Sequence, residues 1–252
     1  MPKMAKTEKH PLTHNYERTL RVLHISTAAF NVADDSGAVG LDASAWATVS
    51  LLFDRGEAAI KRRHRECTAM EIAVLGWGSL IWSPRGLKLA GQWQPDGPRL
   101  PVEFARVSQD ERLTLVLYPG AELVQVLWAP SACSSLEEAV ADLAAREGTS
   151  RQRIGYLSFF NGLYRCEAAP EALEQIRSWA GSRSFDAVIW TDLPSNFSAK
   201  TNMPFSPDNA VTYLGALKKY SFEKAKEYLA KAPKQVSTPV RRQAEEILQW
   251  WL

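Results

Sequence analysis

With 252 residues, 46% of them hydrophobic, and a formal net charge of +2, the chain has material for one sizeable core and some extra length. No window approaches the ~18 uninterrupted apolar residues of a membrane span, and the polar N-terminus lacks an apolar signal core, so the expectation is a cytoplasmic protein without a membrane partner. Residues 1–70 hold ten of the 30 Lys/Arg and eight of the 28 Asp/Glu, which leaves 20 of each sign in 71–252. That balance speaks against a nucleic-acid module, whose footprint is basic, and for a small-molecule substrate.

Histidine sharpens the exclusion. His10, His14, His24 and His64 all precede Met70, so Ser-His, Cys-His and His-metal chemistry have no residues in the well-patterned part of the chain. An acid or base there must be Asp, Glu, Lys, Tyr or Cys. Cys67, Cys133 and Cys166 are odd in number, far apart and without a CxxC pair, and read as reduced thiols.

In chain order, residues 1–69 read as a poorly ordered extension, with a short amphipathic piece near Trp46 and the basic cluster 61–65, a solvated linker. Met70, two residues before the first strand, is the expected natural start. Residues 70–252 form the expected domain. A strand at 71–76 runs into Gly76-Trp77-Gly78-Ser79-Leu80, where the glycines and serine let the backbone bend and bring N–H groups near a ligand. After a Pro/Gly-rich loop at 83–101, strands at 102–108, 113–118 and 123–128 are joined by hairpin turns as an antiparallel meander. Ser134-Ser135 opens a helix that carries Leu136, Val140 and Leu143 on one face and stops at Gly148.

Glu147 lies in the last turn of that helix, where the negative end of the helix dipole disfavours a carboxylate. Strands at 154–160 and 163–166 flank Asn161-Gly162, a hairpin signal. A helix at 170–180, a strand at 185–191, a loop at 194–207 and helices at 208–231 and 238–251 complete the chain. Trp250 and Trp251 would dock on the chain's own core or on another subunit, and the oligomeric state is left open.

By spacing alone the 76–80 turn is a plain tight turn or an anion cradle, and Glu147 a solvent-facing helix end or a base. The residues leave both pairs open. No GxGxxG or GxxxxGK[ST] surrounds the turn, which argues against a dinucleotide or P-loop site.

Residues 72–84, with Val-Leu-Gly-Trp-Gly-Ser-Leu-Ile-Trp-Ser-Pro at their heart, resemble the opening signature of the γ-glutamylcyclotransferase-like superfamily, nearest to its ChaC-type members. Val124–Trp128 resembles the strand before the family's active-site helix, and Arg146-Glu147-Gly148 its Glu-Gly ending; the likeness spans roughly 72–160. It departs at Trp77, where the family has Tyr and its phenolic hydroxyl, and at Gly148-Thr149, which replaces a longer continuation. The resemblance implies an α+β fold built on a small, mostly antiparallel β-barrel or curled sheet with flanking helices. It also implies cyclisation of a γ-glutamyl substrate, such as glutathione or a γ-glutamyl peptide or amine, to 5-oxoproline without cofactor or metal. Glu147 would be the catalytic base, with Gly76, Trp77, Gly78, Ser79 and Leu80 binding substrate. The alternative is a non-catalytic small-molecule-binding or protein-interaction module on the same fold. The two differ in whether Glu147 faces the same cavity as Ser79.

Overall fold

A computed structural model describes residues 70–250. They belong to one compact unit, 68–252. The expectations for the N-terminal extension, its basic cluster and Cys67, and for Trp251, lie outside the described residues. The described unit is α+β, with eight strands in two sheets and six helices. No helix among the described residues is long and apolar enough to cross a membrane.

β1 (Ile72–Gly76) is the second of the five strands in the larger sheet. It pairs antiparallel with β5 (Leu127–Pro130), setting Val74 opposite Ala129, and parallel with β8 (Ala187–Thr191), setting Val74 opposite Ile189. β6 (Ile154–Ser158) and β7 (Tyr164–Arg165) extend the sheet on the far side of β8, for an order of β5-β1-β8-β6-β7. The second sheet has β2 (Arg99–Val107) at its centre, between β3 (Leu113–Leu117) and β4 (Leu123–Gln125).

The unbroken apolar run of β1 has a direct cause. Side chains alternate across a strand, and both faces of β1 are covered. Ile72 and Val74 pack with Val140 and Leu143 of α1 (Leu136–Glu147). Ala73 and Leu75 join the larger core, which contains Phe104 of β2, Leu115 of β3 and residues of the C-terminal helices. Helix α1 begins as its sequence indicates, with the Ser135 hydroxyl accepting from the Glu138 N–H at 3.2 Å, and ends at Gly148 in the left-handed region at φ 62°.

α2 (Ala172–Gly181) precedes β8, and the short α3 (Phe197–Thr201), α4 (Pro207–Gly215), α5 (Lys219–Lys231) and α6 (Pro239–Ile247) follow it. Trp250 is buried on the chain's own core and packs edge-on against Phe222, with ring centroids 4.9 Å apart.

Four expectations need correction. The strands form separate sheets of five and three and do not close into one barrel. The 113–118 and 123–128 strands do not pair with each other: β3 and β4 flank β2, so the segment is not a meander. The single strand expected at 123–128 is two, because buried Val126 turns its N–H to the Pro98 carbonyl at 3.0 Å and β5 continues in the other sheet. The helix expected at 208–231 is broken between Gly215 and Lys219, where the Ala216 N–H closes the turn on Thr212 and Tyr213.

Candidate active site

The parallel strands β1 and β8 end at the same edge of the sheet, where the chain after each turns away. The C-terminal edge of parallel strands is the usual place for a ligand, because successive loops diverge there and leave a crevice. A cavity of about 490 Å³ occupies this edge. The 77–80 turn after β1, the end of α1, the 191–200 segment after β8 and the β2–β3 hairpin line it, with Tyr228 of α5.

Of the residues the sequence singles out, Trp77, Gly78, Ser79, Leu80 and Glu147 all line this cavity. Gly76 does not. Neither glycine of the turn has a positive φ, so both are explained by space. A Cβ on Gly76 would lie 2.6 Å from the Trp93 ring, and one on Gly78 would lie 2.5 Å from the Tyr228 hydroxyl oxygen. The turn is closed by Ile81 N–H to Gly78 O at 3.0 Å and Ser83 N–H to Ser79 O at 2.9 Å. Among the described residues no backbone carbonyl takes the N–H of Gly78, Ser79 or Leu80. The Trp77 side chain is committed to the core: it is 5% exposed and its indole N–H donates to the Leu115 carbonyl at 3.3 Å.

Arg146 joins the turn to the helix end. Its Nη1 donates to Glu147 Oε1 at 2.6 Å, while its Nη2 donates to Ser83 O at 2.6 Å and to Ser79 Oγ at 3.2 Å. The Arg146 side chain is 4% exposed and that of Glu147 17%. This guanidinium offsets the helix dipole, which disfavours a carboxylate in the last turn. It also leaves Glu147 Oε2 and the Ser79 hydroxyl hydrogen for a ligand.

Tyr228 contributes what the Trp77 position lacks. Its hydroxyl lies against Gly78, and burial pushes the phenol up to about 12. The charge of Glu147 adds to that shift, while the Leu115 and Ser79 amides and the Arg112 guanidinium oppose it. The group is therefore a neutral O–H at physiological pH, able to donate beside the turn.

Glu147 is the only carboxylate among the lining residues, against Arg85, Arg106, Arg112, Arg146 and Lys200. Three other buried carboxylates, Asp186, Asp192 and Glu103, lie elsewhere and have structural partners; Asp186 accepts from the Glu71 N–H at 3.0 Å. Desolvation raises Asp192, which accepts from the Glu167 and Ala168 N–H groups at 2.6 and 3.1 Å. Desolvation likewise raises Glu103, which accepts from the Phe104 N–H at 2.7 Å and from Val240 N–H at 3.3 Å in the first turn of α6. Cys133 and Cys166 are free thiols. Burial pushes Cys166 up to about 12, with Asp192 adding to it, which makes it a poor nucleophile. Among the described residues no three His, Cys, Asp or Glu side chains form a metal-holding group.

Sequence reading passed over Arg146, Tyr228 and the basic residues of the hairpin and of 191–200. Arg146 carried a visible signal, since it stands beside Glu147 in the motif itself. Tyr228 carried none, being one aromatic in an amphipathic helix. Comparisons with protein-family models, curated proteins and solved structures found no match to this chain.

Proposed function

We propose that the chain is a γ-glutamylcyclotransferase-like enzyme that closes a γ-glutamyl group on itself to give 5-oxoproline and releases the amine, and that the five- and three-stranded sheets are an open variant of the curled sheet of that superfamily. The observation that carries this reading is the shared cavity: Ser79 and Glu147, far apart in sequence, line one space and are tied through Arg146.

The chemistry follows from the groups present. Glu147 takes a proton from the substrate's α-ammonium group, and the freed amine attacks the γ-carbonyl carbon to form the ring C–N bond. Folding the chain into the ring-closing shape supplies proximity, which for well-oriented intramolecular steps reaches on the order of 7–11 kcal/mol. The N–H groups of the 77–80 turn and the Tyr228 O–H stabilise the tetrahedral oxyanion as donors already fixed in position. Glu147 then returns its proton to the leaving nitrogen as the bond between carbonyl carbon and that nitrogen breaks, and takes the second proton from the positively charged ring nitrogen and passes it to the departing amine, so that two protons in all move from the α-nitrogen to the amine. The protein ends the cycle as it began.

The test is 5-oxoproline release by the full chain from glutathione, γ-glutamyl amino acids and γ-glutamyl amines. Release from at least one supports the reading, and release from none rejects it. The fixed Trp77 indole favours the second reading, a binding module without turnover; it predicts ligand binding in the same cavity and no 5-oxoproline.

A further inference from the structure

Five cations line the cavity, and two of them have a carboxylate partner: Arg146 has Glu147 at 2.6 Å and Arg112 has Asp110 at 3.3 Å. Arg85, Arg106 and Lys200 have no carboxylate partner among the described residues. Arg106 is the informative one. It is half-buried near the end of β2, and its Nη1 donates to the Pro194 carbonyl at 2.7 Å. That bond fixes the guanidinium in place without supplying a counter-charge. Burial lowers its pKa, and Arg153 pushes in the same direction. A partly desolvated cation without a counter-ion costs free energy that a bound anion recovers.

Lys200 is placed by the same segment. Asn196 pairs with the Val107 backbone through both ends of its amide, accepting at 2.7 Å and donating at 3.0 Å, and so pins the start of α3 to the end of β2. Exposed Lys200 follows one turn later, at the cavity wall. Arg106 and Lys200 therefore approach one space from a strand and a helix held together.

We infer that this basic wall is an anion subsite for a carboxylate carried by the leaving amine, so that the preferred substrates are γ-glutamyl amino acids or peptides over uncharged γ-glutamyl amines. The inference rests on the cyclisation reading for the identity of the γ-glutamyl half, and on the unpaired cations for the leaving half. Guanidinium and ammonium groups both bind carboxylates through charge-assisted hydrogen bonds.

The matched probes are γ-glutamyl-alanine and γ-glutamyl-alaninamide, which share the glutamyl half and differ by one charge on the leaving half. Binding is read by tryptophan fluorescence on the full-length Glu147→Gln variant, and 5-oxoproline release on the wild type. The acid is expected to bind roughly tenfold or more tightly than the amide, as a charge-assisted hydrogen bond requires, with the advantage shrinking as salt is added. Introducing Arg106→Gln should bring the ratio close to unity. Lys200→Gln, on the exposed face and safe for folding, should lower it part-way. Equal affinity for the two probes, or an acid preference that survives both substitutions, overturns the subsite. Acid-selective binding without 5-oxoproline from either probe keeps the subsite and sinks the cyclisation reading. Release of 5-oxoproline at equal rates and affinities sinks the subsite alone, and absence of binding by both probes sinks both.

Discussion

The two walls of the cavity are built on different principles. One wall, the 77–80 turn with the end of α1, is short-range: each piece is a contiguous segment closed by its own backbone hydrogen bonds, and a single buried guanidinium locks the two together. The other, formed by the β2–β3 hairpin, the 191–200 segment and Tyr228, draws on three segments that meet only in the folded chain. The first wall holds the one carboxylate and the turn amides that no backbone carbonyl takes. The second holds a neutral phenol and the surplus positive charge. The difference teaches that reactive groups can sit on local motifs, where position is set by a few bonds, while selection for a partner can be left to a surface assembled by tertiary packing.

Substitutions on each wall should therefore separate, and the largest effect belongs to Glu147. Glu147→Gln keeps the size and removes the base, so 5-oxoproline release should fall by about 10²–10⁴-fold, the range typical of general acid–base groups, while ligand affinity changes little. Steady-state kinetics beside a fluorescence titration reads both.

Arg146→Met should be the most damaging change to the structure. It strands Glu147 without its counter-charge and unties the turn from the helix, and breaking a buried pair in this way costs about 3–5 kcal/mol. Urea denaturation measures that loss; a change under about 1 kcal/mol would show that the clamp is not needed to hold the wall.

Tyr228→Phe tests the opposite wall. Removing one fixed donor beside the oxyanion should lower kcat on the order of tenfold to a hundredfold with KM nearly unchanged and a stability loss of about 1 kcal/mol. An unchanged kcat would assign the phenol to packing alone.

The smallest effect is expected at Glu103, outside the cavity. Its carboxyl is raised by burial, so the folded state holds the proton more tightly than the unfolded chain does. Its contribution to stability is therefore full below the ordinary carboxylate value of 4.5 and is lost as pH rises through the higher folded value. Glu103→Gln should flatten that decline, which thermal unfolding across pH 4 to 8 would reveal as a smaller slope than wild type (pH range on the order of the carboxylate titration).

The contrast between the walls also explains what could be read from the chain. The 72–84 run and Glu147 were legible because a strand, a turn and a capped helix are short-range patterns: Ser135 and Gly148 mark the helix ends by their own chemistry. Arg146 is adjacent in sequence but was not read, because neighbours on a helix do not normally face one another; the two side chains meet here in the last turn of α1, just before the Gly148 cap. Gly76 and Gly78 were picked out for backbone freedom, whereas the structure needs them to make room for Trp93 and Tyr228. That is a requirement of packing partners 17 and 150 residues away by numbering, which no local pattern carries. The transfer of the chain between sheets at Val126 was hidden for the same reason: 123–128 is an unbroken strand-like run, and its kink is set by the distant Pro98 carbonyl. The parallel pairing of β1 with β8, which creates the cavity edge, joins strands far apart in the chain, Ile72 lying opposite Ala187, and leaves no trace in either strand alone.

The most direct measurement is to follow γ-glutamyl-alanine labelled with ¹⁵N on the α-amino group through the full-length protein by mass spectrometry. Intramolecular cyclisation in this cavity predicts 5-oxoproline that retains the label in its ring, together with unlabelled alanine, from the wild type and not from Glu147→Gln. Labelled glutamate in place of 5-oxoproline, or product formed equally by the two proteins, would contradict it.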